Sequence, residues 1–307
     1  MGMRVALAVH PDSGQGAAAR MAGTVAARLR TVVDRLDLIT AESPERFRLR
    51  VAECRDSGLD ALVVLGGDGA AHQAVQCCAG TDLALGLVPS GTGNDFARAL
   101  GVPRDPVSAL SSLVSALRHD HRCRVDLGRV DGGDSSVARW FGTVLCTGFD
   151  AAVNARANSM PWPRGPHRYD LALVRELVSL RPRPVVVETE KERLTTQATL
   201  VAVGNTAFYG GGIPICPEAV WDDGAFDVTV VGPVSPLRLA RILPRLRTGT
   251  HVRHPSVHTL RASRVRIEGP GEWPVFADGD PISALPTTVT CVPEALTVLG
   301  VTRESTV

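Results

Sequence analysis

Residues 59–78 read LDALVVLGGDGAAHQAVQCC and carry the pattern on which the fold assignment rests. LDALVVL is a short apolar run typical of a buried strand, and AAHQAVQCC is compatible with a helix. Between them, Gly66, Gly67 and Gly69 surround Asp68. Because glycine adopts backbone conformations that other residues avoid, this segment is predicted to be a tight strand–loop–helix connection.

The same order of strand, glycine-containing loop and helix occurs twice more in the first part of the chain. MRVALAV precedes HPDSGQG and the amphipathic AAARMAGTVAARLRTVV, and LALGLVP precedes SGTGNDF and ARALG. Such repeats predict an α/β domain with a parallel sheet, whose loops gather at the carboxyl ends of the strands, where open sheets bind ligands. We expect residues 1–128 to form this domain.

After Asp126 the sequence changes to short apolar runs, such as RWFGTVLCTGF, RPVVVETE and GAFDVTVVG, separated by Gly, Pro and Asp turns. This pattern is typical of an antiparallel β-sandwich, which we expect over residues 129–294. Helical segments are predicted at 166–181 and 236–248. The last strand, near 295–307, is a candidate to return to the first domain.

The composition argues against several classes of function. The 307 residues carry a net charge of +1, so a nucleic-acid partner is not expected. The seven cysteines form no CxxC pair and the histidines show no HExxH motif, which argues against disulfides and zinc. Because no apolar span reaches the length of a membrane helix, we expect a cytoplasmic protein, neither secreted nor membrane-spanning.

A carboxylate in a glycine loop suggests phosphoryl-transfer chemistry. Backbone N–H groups at the start of a helix can hold phosphate, and an aspartate beside them needs a cation as its partner. Asp68 is therefore a candidate to contact Mg²⁺ or to accept a hydroxyl proton. The alternative is an ordinary Asp-Gly turn.

Two further segments use many turn residues. In VPSGTGNDFARALGVP, residues 88–103, a glycine-rich loop precedes a helix; the alternative is a flexible loop in which Asn94 or Asp95 caps that helix. AVGNTAFYGGGIPICPEAVWDDGAFDVTVV, residues 202–231, connects two strands through glycines, prolines and acids. This second segment is predicted to have a function; the alternative is a long sandwich loop.

These motifs occur in a recognisable order: HPDSGQG, GGDGA, PSGTGNDFARALG, TGFDAAV, VGNTAFYGGGIPICPEAVWDDGAFDV and ADGDPI. In this respect the chain resembles the diacylglycerol kinase catalytic-domain family, which includes sphingosine, ceramide and bacterial lipid kinases. The resemblance spans nearly the whole chain. NAD kinases share GGDG, but GTGND followed by YGGG, DDG and a late DG-acid motif is specific to the lipid kinases.

The resemblance implies transfer of the γ-phosphoryl group of ATP to a lipid hydroxyl. The expected acceptor is diacylglycerol, and the expected product is phosphatidic acid. The first domain would bind ATP and the cleft of the second would admit the lipid. The residues expected around the nucleotide are Pro11, Asp12, Ser13, Gly14, Thr40, Gly66, Gly67, Asp68, Gly69, Ala70, Ala71, His72, Gln73, Gly91, Thr92, Gly93 and Asn94.

The resemblance also assigns catalytic and metal residues. The family's late acid is its general base, a role that falls here to Asp280, with Asp68 and Asp95 organising the base, the metal and the acceptor. The family binds a structural Mg²⁺ through positions that correspond here to Asp222, the Ala225 carbonyl and Asp227. The alternative is a plain Asp-Gly turn followed by an exposed strand aspartate.

Several positions depart from the family pattern. His10 replaces an asparagine, Ala70 a threonine, His72-Gln73 an Asn-Glu pair, and Asp280 a glutamate. A shift on the order of 1 Å at a reacting atom can cost about a hundredfold in rate, so the shorter Asp280 needs compensation. An NAD kinase and a catalytically weak lipid-binding regulator therefore remain alternative functions.

The resemblance further implies contact with a membrane, at its inner face, and a possible homodimer. Residues 236–254, PLRLARILPRLRTGTHVRH, interleave leucines and arginines. This pattern can place an apolar face on lipid while arginines meet anionic head groups. The alternative is an amphipathic helix that packs on the sandwich.

Overall fold

The computed structural model describes residues 3–10, 13–14, 16–40, 43–131, 139–149, 151–152, 156, 181–271 and 273–301. The chain divides into two compact units. The first comprises Met1–Leu127 with Pro293–Val307, and the second comprises Gly128–Val292.

The first unit alternates strands and helices along the chain. Its elements are β1 Arg4–Val9, α1 Ala17–Leu29, β2 Arg35–Ile39, α2 Pro44–Asp56, β3 Ala61–Gly66, α3 Asp68–Cys78, β4 Ala84–Pro89, α4 Asp95–Ala99 and α5 Pro106–His119. Strand β5, Arg122–Asp131, begins in this unit, and the last strand, β18, Thr287–Leu299, ends in it.

The sheet of the first unit is parallel, with strand order β2-β1-β3-β4. The final strand joins it beside β4, where Val298 pairs with Leu85. All six residues of β3 and all six of β4 are buried, as expected for parallel strands with both faces covered. Apolar residues of these strands and of α1 and α5 form one core.

Two helices of this unit begin at sequence signals that cap a helix. Ser43 precedes Pro44 of α2, and its hydroxyl accepts a hydrogen bond from the Arg46 N–H. Asp105 precedes Pro106 of α5, and its carboxylate accepts one from the Ser108 N–H. Proline is tolerated at a first helical position because the missing N–H would have no partner within the helix.

The second unit consists mainly of antiparallel strands. Its elements are β6 Arg139–Phe141, β7 Val144–Gly148, β8 Arg183–Thr189, β9 Arg193–Ala198, β10 Leu200–Gly204, β11 Phe208–Tyr209, β12 Ile213–Pro214, β13 Phe226–Val231, α6 Pro236–Leu246, a 3₁₀ helix Thr250–Arg253, β14 Val257–Ala262, β15 Arg264–Glu268, β16 Pro274–Ala277 and β17 Asp280–Ala284.

Two sheets of the second unit enclose a common core. One has strand order β14-β13-β10-β7-β16-β17, and the other contains the first part of β18 followed by β15, β8 and β9. Val187, Val265 and Val289 of the second sheet share one buried cluster with Val201 and Val228 of the first. The unit is therefore a β-sandwich, and the predicted fold class is confirmed.

The helix predicted at 236–248 is confirmed as α6, Pro236–Leu246. The other predicted helix, 166–181, lies outside the described residues except for its last position. Among the residues that the structure describes, none of the helices combines the length and the apolar character needed to cross a bilayer.

Candidate active site

Three loops meet at the carboxyl ends of neighbouring strands in the first unit. Strands β1, β3 and β4 are adjacent and parallel, and their register aligns Val9 with Leu65 and Gly66 with Pro89. The loops continue this alignment, because the His10 N–H donates to the Leu65 carbonyl at 3.2 Å and the Ser90 N–H to the Gly66 carbonyl at 2.8 Å. The three sequence motifs are thus brought to one edge of the sheet.

Glycines let these loops touch through their backbones. A Cβ atom on Gly91 would lie 2.6 Å from the Gly67 Cα atom, and one on Gly14 would lie 1.9 Å from the Ser90 carbonyl oxygen. Gly14 also has φ +59°, a conformation that disfavours other residues. The three loops therefore pack so closely that side chains at Gly14 or Gly91 would separate them.

Asp68 is the first residue of α3, and its carboxylate joins two of the loops. One oxygen accepts the Asn94 N–H at 2.7 Å and the other accepts the Asp95 N–H at 2.5 Å. These N–H groups lie at the start of α4, where a helix has donors without partners in its own backbone. Asp68 thus caps a helix 27 residues further along the chain.

Asn94 closes the loop after β4 through hydrogen bonds within that loop. Its side-chain oxygen accepts the Gly91 N–H at 3.0 Å, and its side-chain nitrogen donates to the Gly91 carbonyl at 2.8 Å. Its backbone is left-handed, with φ 53°, a conformation that asparagine tolerates better than most residues. Asn94 therefore occupies the N-cap position of α4, while Asp68 supplies the capping carboxylate.

Asp95 lies beneath this loop and is only 5 % exposed. The Arg98 guanidinium, one helical turn away, lies 3.7 Å from an Asp95 carboxylate oxygen. A buried carboxylate requires such compensation, because transfer from water to a protein interior strongly disfavours an isolated charge.

The first turn of α3 lines the same edge. Ala70 is buried against Gly66, since a Cβ atom on that glycine would lie 2.5 Å from the Ala70 Cβ atom. His72 is buried as well, and its ring lies 3.5 Å from the Gln76 amide. The side-chain oxygen of Gln73 is buried and makes no hydrogen bond to any described residue.

His10 follows β1 directly and is partly buried beside the GGDG loop. Its ring contacts Phe47 of α2 edge to face, with 5.8 Å between the ring centres. Burial lowers the pKa of His10, because desolvation disfavours the charged imidazolium. A neutral ring is therefore favoured at this position.

The remaining predicted nucleotide residues occupy different surroundings. Ser13 donates its N–H to the His10 carbonyl at 3.0 Å, while Thr40 and Thr92 are exposed. Pro11 and Asp12 lie outside the described residues. A small cavity among the loops is lined by Val64, Gly66, Gly67, Asp68, Ala71, Leu87, Val88, Pro89, Asn94 and Ala97.

In the second unit, Asp280 begins β17 directly after a two-residue hairpin turn. Asp278 and Gly279 form this turn, with φ 52° and 90°, and Ala277 pairs with Asp280 across it. Positive φ at both central residues is the type I′ geometry, which Asp-Gly favours. The turn therefore sets the position of Asp280, which is partly exposed.

Asp278 anchors this hairpin to the neighbouring β6–β7 turn. Its carboxylate accepts hydrogen bonds from the Gly142 N–H at 2.9 Å, the Thr143 N–H at 2.8 Å and the Thr143 hydroxyl at 2.5 Å. Its own N–H donates to the Val144 carbonyl at 3.1 Å. Asp278 is thus a positioning residue for Asp280.

The predicted metal residues lie at the start of β13. Asp222 and Ala225 belong to the turn before this strand, and Asp227 is its second residue. One carboxylate oxygen of Asp227 is buried and has no hydrogen-bond partner among the described residues. Burial is the main cause that raises the pKa of Asp227; Asp223 and Glu218 add to it, and Arg261 opposes it.

Asp227 and Asp280 lie at the same end of the six-stranded sheet, in adjacent rows of paired residues. Asp227 pairs with Gly204, which pairs with Val144, whereas Ala277, the partner of Asp280, pairs with the next residue of β7, Leu145. Strands β13 and β17 are four strand spacings apart, which corresponds to about 19 Å. One Mg²⁺ ion, with ligand distances near ~2 Å, could not bind both carboxylates directly.

Comparison with known proteins identifies the family. Residues 4–130 match the family model described as diacylglycerol kinase catalytic domain, and residues 143–300 match the YegS C-terminal NAD kinase beta sandwich-like domain. A Mycobacterium tuberculosis protein named diacylglycerol kinase is 41% identical over 299 residues, covering 96% of this chain and 94% of that protein. The chain belongs to the diacylglycerol kinase catalytic-domain family.

More distant proteins share sequence or fold with this chain. A Staphylococcus saprophyticus protein named diacylglycerol kinase is 25% identical over 93% of this chain and 92% of its own length. The crystal structure of a diacylglycerol kinase from Bacillus anthracis has the same fold, with a TM-score of 0.72 at 21% identity and coverage of 100% and 99%. Yeast NADH kinase has a TM-score of 0.55 at 14% identity, covering 99% of this chain and 85% of its own.

In this member of the diacylglycerol kinase family, the sequence does not predict the contacts of two residues, Arg98 in the first unit and Asp278 in the second. Arg98 beside Asp95 had no distinctive signal, because an arginine on a helix is common. Asp278 did have one, since Asp-Gly between two apolar runs is the strongest short-range sign of a tight hairpin. The resemblance assigns a role to the last acid of this motif, Asp280, and none to its first acid, Asp278.

Proposed function

We propose that the protein is an ATP- and Mg²⁺-dependent lipid kinase that transfers the γ-phosphoryl group of ATP to a lipid hydroxyl, with diacylglycerol as acceptor and phosphatidic acid as product. The observation that carries this proposal is the 41% identity, over 96% of the chain, to a protein named diacylglycerol kinase. The loops that meet in the first unit support it, because they provide a glycine-lined edge at the N-terminus of α3.

In this proposal the loops of the first unit hold the phosphates of ATP. Backbone N–H groups at helix starts are suited to phosphate, and close packing of Gly14, Gly67 and Gly91 keeps the surface free of side chains. Asp68 fixes the loop after β4 relative to the loop after β3 through two hydrogen bonds. Each carboxylate oxygen keeps a further lone pair that could face the reacting groups.

Asp280 is the proposed general base. A base must lie within hydrogen-bond reach of the hydroxyl that it deprotonates, so its position matters more than its identity. The hairpin turn and the four hydrogen bonds of Asp278 hold the backbone that carries Asp280. This rigid support offsets the disadvantage of a side chain one methylene shorter than glutamate.

The residues at 222–227 fit a structural Mg²⁺ ion. The proposed ligands are two carboxylates and a backbone carbonyl; within the described ranges, no group of three or more His, Cys, Asp or Glu side chains is arranged for a metal. One carboxylate oxygen of Asp227 is buried and has no hydrogen-bond partner among the described residues, and burial raises the pKa of this group. A cation at this position would therefore stabilise the ionised carboxylate. When bound, Mg²⁺ would neutralise Asp222 and Asp227 and cross-link the turn to β13 through the Ala225 carbonyl.

The substrate places the enzyme at a membrane. Diacylglycerol resides in a bilayer, so a kinase that acts on it must approach the lipid surface. We place the protein at the inner face of the cytoplasmic membrane, as a peripheral protein.

The test is a phosphorylation assay with purified protein, ATP and Mg²⁺, offered diacylglycerols, sphingoid bases, ceramides and NAD in parallel. Transfer to diacylglycerol is expected, and Asp280→Asn should lower the rate by about 10²–10⁴ while ATP binding persists. Transfer to NAD alone would establish the NAD kinase alternative. ATP binding without transfer to any acceptor would establish the regulatory alternative.

A further inference from the structure

Residues 228–267 contain no acidic residue and eight arginines. This segment includes α6, Pro236–Leu246, which carries three arginines in eleven residues and is followed directly by Arg247. The bias is local, since the whole chain has a net charge of only +1. Helix α6 is therefore the centre of a basic region on a protein whose other residues carry more acids than bases.

The inner face of α6 attaches it to the second unit. Ile242 is 3 % exposed and Leu246 is partly buried, and both pack with Val234, Ile215 and other residues on the outer face of the six-stranded sheet. At the end of the helix, a Cβ atom on Gly249 would lie 3.1 Å from Pro217. The helix is therefore packed on the sheet through this inner face.

The outer residues of α6 combine exposed charge with exposed apolar surface. Leu237 is 63 % exposed, more than any other large apolar side chain in the described part of the chain. Arg238 and Arg245 are exposed and lie two helical turns apart, so they share one stripe. Leu237 and the exposed Pro244 have the same spacing and form a parallel stripe. We call Leu237, Arg238, Pro244, Arg245 and Arg247 the α6 face.

The arginines of this face differ from those of another exposed helix. On α2, four arginines are balanced by three acids, and Arg48 and Arg50 pair with Glu45 and Glu53 at 3.6 and 2.8 Å. Arg238, Arg245 and Arg247 form no ion pair with any described residue. Helix α2 also exposes a leucine, Leu49, at 60 %. The two helices thus differ in charge balance more than in apolar exposure.

We propose that the α6 face docks the protein on an anionic lipid bilayer. Unpaired arginines are attracted to acidic head groups, and the adjacent Leu237 and Pro244 can enter the boundary between head groups and acyl chains. This orientation leaves Ile242 and Leu246 packed on the sheet. The identity of the partner as a membrane rests on the proposed function, because a diacylglycerol kinase must reach its acceptor in a bilayer.

The surface is tested by vesicle sedimentation of the full chain. Phosphatidylcholine vesicles are compared with vesicles that also contain phosphatidylglycerol. Binding is expected only to the anionic vesicles, and it should weaken as the salt concentration rises from about 0.1 to 1 M, where the screening length falls from about 10 to 3 Å. Each basic residue near such a surface strengthens binding about fivefold.

Two variants isolate the face. The triple variant Arg238→Glu, Arg245→Glu, Arg247→Glu should lose binding by on the order of a hundredfold or more. Leu237→Gln should weaken binding at high salt as well as low salt, because its contribution is apolar. Two matched controls are made on α2: the triple variant Arg48→Glu, Arg50→Glu, Arg55→Glu and the single variant Leu49→Gln. Both should bind like the parent protein.

Kinase assays separate this proposal from the proposed function. The triple variant should lose activity on diacylglycerol in vesicles and keep it on dispersed short-chain diacylglycerol. Equal vesicle binding by the parent protein and the triple variant would overturn the proposal that the α6 face binds the bilayer. Binding of the parent protein to heparin but not to vesicles would overturn it as well. Loss of vesicle binding in the triple variant, with no kinase activity in the parent on any lipid, would support the face and refute the function.

Discussion

Asp68 shows how one side chain can organise a site. Its position in the sequence predicts direct contact with a metal or an acceptor. In the structure, its two carboxylate oxygens accept hydrogen bonds from the backbone N–H groups of Asn94 and Asp95. Charge-assisted hydrogen bonds of this kind contribute about 1.5–3 kcal/mol each. The relative positions of the loops after β3 and β4 therefore depend on this carboxylate.

We expect Asp68→Asn to lower the free energy of unfolding by about 1–3 kcal/mol and to remove most kinase activity. An amide keeps one acceptor but turns an NH₂ group toward the second backbone N–H, so the two loops lose their fixed spacing. Urea denaturation and initial rates measure the two effects. Asp60→Asn is the control, because among the described residues the Asp60 carboxylate accepts only the Arg4 N–H, at 2.7 Å, which an amide oxygen can also accept.

Asp227 should make stability depend on Mg²⁺. Because its pKa is raised in the folded state, the ionised carboxylate costs stability above that pKa, and the cost disappears as the pH falls through it. At neutral pH a bound ion would remove this cost, adding about 2.7 kcal/mol at a Mg²⁺ concentration of a hundred times Kd, and less in acid.

Thermal unfolding with and without Mg²⁺ tests this expectation. Asp227→Asn should abolish the Mg²⁺-dependent rise in Tm. Asp223→Asn, in the same turn, should lower Tm through loss of its 2.6 Å ion pair with Arg261 but keep the response to Mg²⁺. If the Tm of the parent protein were the same with and without Mg²⁺, the proposed metal site would be contradicted.

At the scale of elements, the site depends on how closely two loops approach. The loops after β3 and β4 touch through Gly67 and Gly91, and α4 follows immediately. A gap between these loops would displace the N-terminus of α4 and the backbone donors there. Displacement of about 1 Å from productive geometry can cost about a hundredfold in rate.

Gly91→Ala should therefore reduce the rate by about a hundredfold or more. The new Cβ atom would lie 2.6 Å from the Gly67 Cα atom and 2.9 Å from the Asn94 side-chain oxygen. Gly23→Ala is the control, since it lies within α1 with no atom near its Cβ position and should stabilise the protein by up to about 1 kcal/mol. Unchanged kinetics in Gly91→Ala would show that the close approach is not needed.

At the scale of the whole molecule, each unit contains a histidine whose neutral form is favoured by burial. Burial lowers the pKa of His10 in the first unit and of His251 in the second. His251 is fully buried, and its Nε2 atom donates to the Ile215 carbonyl at 3.0 Å. In both cases the unfolded chain takes up the proton first as the pH falls.

Stability should consequently decrease as the pH falls from about 7.5 to about 5.5, by at most about 1.4 kcal/mol per pH unit for each histidine. His251→Gln keeps a donor for Ile215 without a titrating group, so its Tm should depend less on pH. His258→Gln, at an exposed position of β14, should retain the pH dependence of the parent. Equal pH profiles for the parent and His251→Gln would contradict this assignment.

The sequence by itself determined the class of fold, because burial leaves a local periodic signal. The apolar runs of β1, β3 and β4, each followed by glycines and a helical pattern, indicate parallel strands. The alternating runs after Asp126 indicate the sandwich, and the ordered motifs indicate the family. These features can be recognised locally since each concerns neighbours in the chain.

Only the tertiary structure decided which groups each acid contacts. Asp68 caps a helix that starts 27 residues later, and Asp278 holds a turn 135 and 136 residues earlier in the chain. Such partners depend on strand order, β2-β1-β3-β4 in one unit and β14-β13-β10-β7-β16-β17 in the other, which local periodicity does not specify. A carboxylate looks the same in the sequence whether it binds a metal, a proton or a backbone N–H, because its role is set by the groups that folding brings within hydrogen-bond distance.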